Sequence, residues 1–543
     1  MGRYVNPGNE QFARILKKKY VDKTGIISLF DDTLESEKSL VMVSRPRRFG
    51  KSYAAKVLAA FYSCGCDSRE LFEGWEVSRA DGWDAHLNRY NVIFLDMTGI
   101  IRASGTAELV TTMDALLVSE LRGVVADAGS SAAGKGDALT SALWDVVEAT
   151  GHKFVFVIDE WDAPYRLAKG NVAAQDSYAE WLRSLFKDAT FTPHVVAGTY
   201  MTGILPIKKY NHQSAVSDFD EYTMLDPAKY SPYVGFTDEE VKGLCEEYGM
   251  DLDDMRRWYD GYRLRYRKDW GVGSRPRFEW QELDIYAPYS LMRACERGKT
   301  GSYWPSTESF RSLCDYVDMD FEGLQGDVLR AVAGGALRVD TGGFQNDLAS
   351  IRSKDDVLTL LCHLGYLAYD SESERMYVPN EEVRGELRRA VAGSSHKEVA
   401  RIVRESIQLV SDVLAMDDQA VATGIQRAHD ATCTPLFYND EQSLRAVVRS
   451  ALIAAVDDWA RVEELPSGHG YADVVYVPRR GSSRPGLIVE LKWDKPITDA
   501  IDQIRERGYA DFLRDLGVPV LLVCVTYDTK TKKHHCHIEP WKS

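Results

Sequence analysis

The sequence lacks the cysteine patterns that organise disulfide-rich or zinc-binding proteins. Its nine cysteines are scattered along 543 residues, and none belongs to a Cys-x-x-Cys pair. An odd number of separated thiols suits a reducing compartment better than a disulfide scaffold. Residues 1–6 carry no apolar signal core, and no run of about 18 apolar residues is present. The sequence therefore predicts a cytoplasmic protein with no membrane span.

Basic charge is also scarce. The chain has 66 Lys and Arg residues against 82 Asp and Glu residues, a net charge of −16. This balance argues against a surface coated in basic groups for nonspecific nucleic-acid binding, although it allows a local basic groove. Hydrophobic residues make up 45% and charged residues 27% of the chain, which is typical of globular proteins. The length predicts about three or four domains.

The chain is organised around a basic segment, residues 44–52, with the sequence SRPRRFGKS. An apolar run at 40–43 precedes it, and apolar residues at helical spacing follow it from 53 to 61. Strand, loop and helix in this order form the context of a phosphate-binding loop, because backbone N–H groups at a helix start attract phosphate oxygens. Lys51 would reach the β- and γ-phosphates, and the Ser52 hydroxyl would bind Mg²⁺. Further candidate nucleotide contacts are Arg47, Arg48 and Gly50.

One position of this loop departs from the usual pattern. A glycine usually stands six residues before the lysine, and here that residue is Arg45. We therefore expect three arginines to surround the phosphates. The competing interpretation is a basic loop that begins an ordinary helix.

A second element favours nucleotide binding. Residues 154–158 form a continuous apolar run of the kind found in buried parallel strands, and Asp159 and Glu160 follow it. Asp159 would bind Mg²⁺, and Glu160 would activate the attacking water. The alternative is an acid pair that caps a strand end. Thr202, at the end of another apolar segment, is a candidate γ-phosphate sensor, or else a polar residue that starts a turn.

Strands and helices alternate through this part of the chain. Apolar segments at 91–96, 154–159 and 195–203 follow the first strand, and helices are predicted at 107–128 and 138–150. Alternation predicts an α/β fold with a parallel sheet and a nucleotide at the carboxyl ends of its strands. We expect the acid-tipped strand to lie beside the phosphate-loop strand.

The end of the chain carries a second cluster of charged residues. Strands are predicted at 461–465, 472–477, 487–493 and 518–525, with a helix at 497–516. Glu490 and Lys492 share one face of their strand, and a hairpin can bring Asp473 beside them. Two adjacent carboxylates suit Mg²⁺ or Mn²⁺, and a neighbouring lysine can offset charge on a phosphate. The alternative is a solvent-facing ladder of Glu and Lys, which the flanking apolar residues disfavour.

The motifs together resemble two known families. Residues 5–240 resemble the AAA-ATPase-like family, whose members share a segment that reads YVDKT here (20–24), an RPRRFGKS loop and a DE-tipped strand. An arginine at position 45 is normal in that family. Residues 435–530 resemble the PD-(D/E)XK nuclease superfamily, whose motif matches Asp473, Glu490 and Lys492.

The second resemblance implies further site residues and carries one departure. Gln503 and Tyr509 match a QxxxxxY helix of that superfamily, and Glu441 matches its first-helix acid. Relatives have Gly-Arg before the aspartate, whereas Gly470, Tyr471 and Ala472 precede Asp473 here. Loss of that arginine would weaken phosphate binding.

The sequence thus predicts three parts: a P-loop ATPase domain at 1–240, a mostly helical linking or lid region at 241–400, and a restriction-endonuclease-like α/β domain at 401–543. The expected cofactors are ATP and Mg²⁺, and the expected partner is nucleic acid, DNA more than RNA, with a possible homo-oligomer. The alternative function is a nucleotide-gated interaction protein that binds nucleic acid or a protein without cleavage. A ring-forming protein-remodelling ATPase, with Arg183 as its arginine finger, is a third hypothesis.

Overall fold

In the computed structural model the chain divides into two compact units, Met1–Trp304 with Arg338–Val383, and Pro305–Leu337 with Arg384–Ser543. The linking region predicted at 241–400 contributes to both units, and the three-part division itself stays a prediction. The structure describes residues 2–106, 108–129, 138–167, 171–207, 218–270, 277–304, 308–319, 321, 323–344, 351–392, 397–432, 440–457, 459–467, 470–478, 484–499 and 518–541.

The described helices and strands are numbered in chain order. The helices are α1 Glu10–Leu16, α2 Ile26–Asp31, α3 Lys51–Tyr62, α4 Arg69–Phe72, α5 Met97–Ser104, α6 Leu109–Asp127, α7 Leu139–Thr150, α8 Ala163–Leu167, α9 Val172–Phe186, α10 Phe191–Val195, α11 Asp238–Tyr248, α12 Leu252–Tyr259, α13 Pro288–Arg297, α14 Glu308–Val317, α15 Leu324–Val332, α16 Lys354–Leu364, α17 Glu381–Ala392, α18 Lys397–Leu414, α19 Asp418–Thr432 and α20 Glu441–Ala451. The strands are β1 Leu40–Ser44, β2 Asn91–Asp96, β3 Phe154–Asp159, β4 Val196–Gly203, β5 Asp220–Tyr222, β6 Phe236–Thr237, β7 Tyr262–Trp270, β8 Arg277–Tyr286, β9 Leu337–Arg338, β10 Ala368–Asp370, β11 Arg375–Tyr377, β12 Trp459–Ser467, β13 Gly470–Pro478, β14 Gly486–Trp493, β15 Val520–Asp528 and β16 Lys533–Pro540.

The first unit is built on a five-stranded parallel sheet in the order β2-β3-β4-β1-β5. The apolar runs seen in the sequence form its central strands, because a parallel strand covered on both faces must be apolar along its whole length. On one face, Phe156 and Met201 share a hydrophobic core with Leu117, Leu143 and Leu182 from α6, α7 and α9. The predicted parallel α/β sheet is confirmed.

The position of β3 corrects one expectation. We expected the acid-tipped strand beside the phosphate-loop strand, but β4 lies between them and pairs with both. Thr202 of β4 therefore stands opposite Val43 of β1 on one side and opposite Asp159 of β3 on the other. The carboxyl ends of the three strands meet at one edge of the sheet, where Ser44, Asp159 and Thr202 end or nearly end their strands.

The segments between the sheet and the second unit follow their sequence signals closely. Thr237 caps α11 with Glu240 in a reciprocal capping box, as the spacing predicts. Strands β10 and β11 form a short antiparallel hairpin. Gly25 is the N-cap of α2, and the Thr24 hydroxyl donates to Oδ1 of Asp22.

The second unit contains a mixed five-stranded sheet in the order β12-β13-β14-β15-β16. Its pairs are antiparallel except for the parallel pair β14–β15. Helices α18, α19 and α20 contribute Val413, Ile425 and Val447 to a core that also contains Val489 and Val523 of the sheet. The predicted strands are confirmed. Most of the helix predicted at 497–516, with Gln503 and Tyr509, lies outside the described residues.

Neither a membrane-spanning helix nor a metal-binding group of side chains is found among the described residues. Within the described ranges no helix is both long and apolar enough to cross a membrane. In the same ranges, no three His, Cys, Asp or Glu side chains are grouped so that they could hold a metal ion. Residues 534–537 belong to β16, with His534 buried and His535 exposed.

Candidate functional site

The loop between β1 and α3 has the backbone of a phosphate-binding loop. Gly50 is the N-cap of α3 with φ of 91°, in the left-handed region that favours glycine. A Cβ atom added to Gly50 would meet nothing within 4 Å, so the requirement for glycine is conformational. Arg48 also has a positive φ, 75°. The loop thus turns sharply at Arg48 and again at Gly50, and the first N–H groups of α3 follow directly after the second turn.

Lys51 lies folded against this loop. Its ammonium nitrogen Nζ donates to the carbonyl oxygen of Pro46 at 2.8 Å. Burial lowers the pKa of Lys51 to about 8, although the carboxylates of Asp159, Glu160 and Asp162 oppose the shift. A buried ammonium group held by one carbonyl gains more from a phosphate, since charge-assisted hydrogen bonds are about twice as strong as neutral ones.

Asp159 and Ser52 lie together at the tip of β3. Burial raises the pKa of Asp159 to about 6, and its interactions with the Ser52 hydroxyl and with Lys51 oppose this shift. Oδ1 of Asp159 is buried and has no hydrogen-bond partner among the described residues. An unused carboxylate oxygen beside a hydroxyl is the donor set that Mg²⁺ takes in phosphate-loop proteins, so these residues fit the ion.

Glu160 follows Asp159 in a strained backbone conformation with φ of 55°. Its Oε2 accepts hydrogen bonds from the Thr98 hydroxyl and, at 2.9 Å, from Nη2 of Arg166. Burial alone would raise the pKa of Glu160, but Arg166, Thr98 and Lys51 together hold it below its usual range. Glu160 is therefore ionised, and the hydrogen bonds from Thr98 and Arg166 restrict the rotation of its side chain.

Sequence reasoning missed Asp162 and Arg166. Oδ2 of Asp162 accepts from the backbone N–H groups of Ile204 and Leu205 at 3.2 and 3.1 Å, and from Nε of Arg166 at 2.9 Å. Asp162 therefore joins the segment after β4 to the arginine that holds Glu160. Asp162 and Arg166 are four residues apart in the sequence, a spacing that brings two side chains together on one face of a helix. This spacing was the signal available for predicting their contact.

Thr202 lies between the two strand ends of the site, paired with Val43 of β1 on one side and with Asp159 of β3 on the other. Its side chain is fully buried, and its hydroxyl has no hydrogen-bond partner within the described ranges. Directly paired residues of a parallel sheet project on the same side, so the side chains of Thr202 and Asp159 share one face. Its carbonyl oxygen accepts from the Trp161 N–H at 3.0 Å, which fixes the strand end.

The arginines of the loop do not all surround the phosphates, which corrects our expectation. Arg45 is fully buried, and its Nη1 donates to the carbonyl oxygens of Ser44, Tyr222 and Thr223 at 2.8, 3.2 and 2.9 Å. Arg45 thus links the end of β1 to the backbone at the end of β5. Arg47 and Arg48 remain half-buried in the loop.

In the second unit, the three predicted residues converge. Nζ of Lys492 contacts Oε1 of Glu490 at 2.9 Å, and Oδ2 of Asp473 accepts from the Leu491 N–H at 2.8 Å. All three charged side chains are buried. The alternative of a solvent-facing ladder is therefore wrong. Burial, and then the nearby charge of Asp473, raises the pKa of Glu490 to about 7.

Arg445 of α20 completes this cluster and was not predicted. Its Nη2 contacts Oδ1 of Asp473 at 2.5 Å, so both oxygens of that carboxylate accept hydrogen bonds. Glu441, the suggested first-helix acid, is half-buried in the first turn of the same helix. Arg445 lies about one helical turn after Glu441, and this spacing was the available sequence signal that both side chains share one face of the helix. Gln503 and Tyr509 lie outside the described residues.

The parallel sheet, the loop and the acidic strand tip are consistent with a P-loop-like domain. Residues 7–211 match the model of the AAA-ATPase-like family, described as predicted AAA-ATPase. Over nearly its whole length the chain is similar to a protein of Azotobacter chroococcum mcd 1, described as an uncharacterized protein in the vnfD 5′ region. The identity is 25% over 562 aligned positions, covering 97% of this chain and 96% of the relative. These matches support ATP binding.

Proposed function

We propose that this protein binds and hydrolyses ATP with Mg²⁺ at the loop formed by residues 44–52. The carrying observation is that Asp159, whose Oδ1 is buried with no partner among the described residues, interacts with Ser52 and Lys51 across the strand that separates β1 from β3. Glu160 interacts electrostatically with both Asp159 and Lys51, which supports a single site.

In this proposal each residue has one task. Lys51 leaves the Pro46 carbonyl and binds the β- and γ-phosphates, while the N–H groups of α3 bind the same oxygens. Ser52 and Asp159 would hold Mg²⁺, which neutralises phosphate charge when bound. Thr202 would donate to the γ-phosphate. Glu160 would take the proton of the attacking water once it is released from Thr98 or Arg166.

Replacing Lys51 tests the binding step. We expect Lys51→Ala to weaken ATP binding by about 10- to 100-fold, the effect of losing a charge-assisted hydrogen bond worth ~1.5–3 kcal/mol. Titration calorimetry with a non-hydrolysable ATP analogue and Mg²⁺ would measure it. Lys56→Ala, on the same helix but outside the loop, is the matched control and should bind as the unchanged protein does. Equal affinity in both variants would contradict nucleotide binding at this loop.

As a second function, we propose that the cluster of Asp473, Glu490 and Lys492 is a PD-(D/E)XK-like nuclease site that cleaves nucleic acid, DNA in preference to RNA. The convergence of two buried carboxylates and a lysine supports it, since this donor set suits Mg²⁺. Arg445 would have to leave Asp473 before that carboxylate could bind a metal ion. The guanidinium could then contact a backbone phosphate.

The ion pair of Arg445 and Asp473 also supports the alternative function, in which the second unit binds nucleic acid or a protein without cutting. Asp473 is already neutralised by Arg445, and Glu490 by Lys492. The arrangement is therefore balanced in charge without a metal ion. In that case the first unit would gate binding through its nucleotide, and the assembly could be a homo-oligomer.

One substitution separates these two functions. We expect Asp473→Asn to abolish Mg²⁺- or Mn²⁺-dependent cleavage of plasmid DNA, with a loss of at least ~10²-fold for a group that holds a catalytic ion. DNA binding, measured by fluorescence anisotropy, should change little. If the unchanged protein binds DNA but neither ion promotes cleavage, the alternative function is favoured. Cleavage that persists in Asp473→Asn would contradict the nuclease assignment.

A further inference from the structure

Helix α13 places an aromatic residue against the phosphate loop. The guanidinium carbon of Arg48 lies 4.0 Å from the ring centre of Tyr289, in the first turn of this helix. Arg293, one turn later, has its guanidinium carbon 5.4 Å from the same ring centre. Two cations thus share one aromatic ring beside a loop that already carries Lys51.

The guanidinium group of Arg48 carries one donor that a ligand could use. Its Nη1 atom is buried and has no hydrogen-bond partner within the described ranges. Buried guanidinium N–H groups normally have acceptors, because an unsatisfied donor loses its hydration without compensation. Arg48 also holds a left-handed backbone conformation with φ of 75°, which residues other than glycine seldom adopt.

Tyr289 is suited to hold this arginine in place. Its ring provides the face that a guanidinium group prefers, and 38% of the residue remains exposed. The neighbouring guanidinium groups of Arg293 and Arg48 lower the pKa of the Tyr289 hydroxyl. Tyr289 therefore lies between two cations, and Nη1 of Arg48, which has no partner among the described residues, can donate to a ligand.

We propose that Tyr289 is a positioning residue of the nucleotide site: it holds Arg48 so that the guanidinium binds the terminal phosphate of a nucleoside triphosphate. This inference rests on the proposed nucleotide binding at Lys51. Two guanidinium groups near one ring repel each other, and the additional negative charge of a third phosphate offsets that repulsion more fully than a diphosphate does. Helix α13 would thereby distinguish a nucleoside triphosphate from a diphosphate.

The test is the ratio of the dissociation constants for ADP and for a non-hydrolysable ATP analogue, both with Mg²⁺. We expect Tyr289→Ala to reduce this ratio by about 5- to 10-fold, since a partly desolvated cation–π contact has roughly that effect. Tyr289→Phe keeps the ring and should retain most of the preference for ATP. Arg48→Ala should lose as much as Tyr289→Ala, and the double variant should lose no more than Arg48→Ala alone.

Arg297→Ala is the matched control. Arg297 is the last residue of α13, and its guanidinium carbon lies 5.1 Å from the ring centre of Tyr303. Its ratio should be unchanged. An unchanged ratio in Tyr289→Ala, an equal loss of ATP and ADP affinity, or additive losses in the double variant would each overturn the role of Tyr289. If the unchanged protein bound neither nucleotide, and Lys51→Ala behaved the same, the proposed function itself would fail.

Discussion

Glu160→Gln is expected to lower the rate of ATP hydrolysis by about 10²–10⁴-fold while ATP still binds. Glutamine keeps the size of the side chain and can still accept from Thr98 and Arg166, but its amide cannot take a proton from water. A coupled assay of phosphate release, run beside titration calorimetry with ATP, would separate the two effects. The dissociation constant should change by no more than about threefold, because Glu160 makes no contact required for phosphate binding.

The contacts of Glu160 sharpen this expectation. Thr98 and Arg166 both donate to Oε2, so the remaining oxygen must act on water, or one donor must leave. Glu148→Gln provides a matched control, since Glu148 is an exposed glutamate paired with His194. Its hydrolysis rate should equal that of the unchanged protein. A Glu160→Gln protein that hydrolyses ATP at the same rate would show that another group activates the water.

The parts of the site that could be predicted are those encoded in continuous sequence. The loop, its helix and the strand that ends at Asp159 each depend on neighbours a few residues away, so their patterns are visible without a fold. The same holds for Glu490 and Lys492, whose shared face follows from strand alternation. Their burial also followed from the apolar residues around them, and the structure confirms it.

The errors and omissions depend on contacts between distant segments. Arg45 was expected to face phosphate, but two of its three carbonyl partners, Tyr222 and Thr223, lie more than 170 residues away in sequence. The insertion of β4 between β1 and β3 is likewise a matter of strand order, which local pattern does not fix. Arg445 reaches Asp473 only because α20 packs against the sheet. Spacing within one helix or strand carries no record of such contacts.

Asp162→Ala is expected to be the most destabilising single substitution at the site, by about 3–5 kcal/mol in the free energy of unfolding of the first unit. The change removes one of the two carboxylate partners of a buried arginine and leaves the N–H groups of Ile204 and Leu205 without their acceptor. Breaking a buried ion pair from one side costs this much because the remaining charge stays buried. Urea unfolding, followed by the fluorescence of the adjacent Trp161, would measure it.

The surface pair of Glu180 and Arg183 gives the matched comparison, since it also joins a carboxylate to an arginine, on the neighbouring helix α9 and with the acid mostly exposed. Glu180→Ala should cost less than ~1 kcal/mol, as exposed ion pairs contribute little. Asp162→Asn should fall between the two, because its amide oxygen still accepts from the backbone while the charge is lost. Equal stability of Asp162→Ala and Glu180→Ala would mean that water replaces Asp162 and that the sheet edge holding Glu160 does not depend on this carboxylate. In that case Arg166 alone would have to keep Glu160 in place, and Arg166→Ala, rather than Asp162→Ala, would alter the rate of hydrolysis.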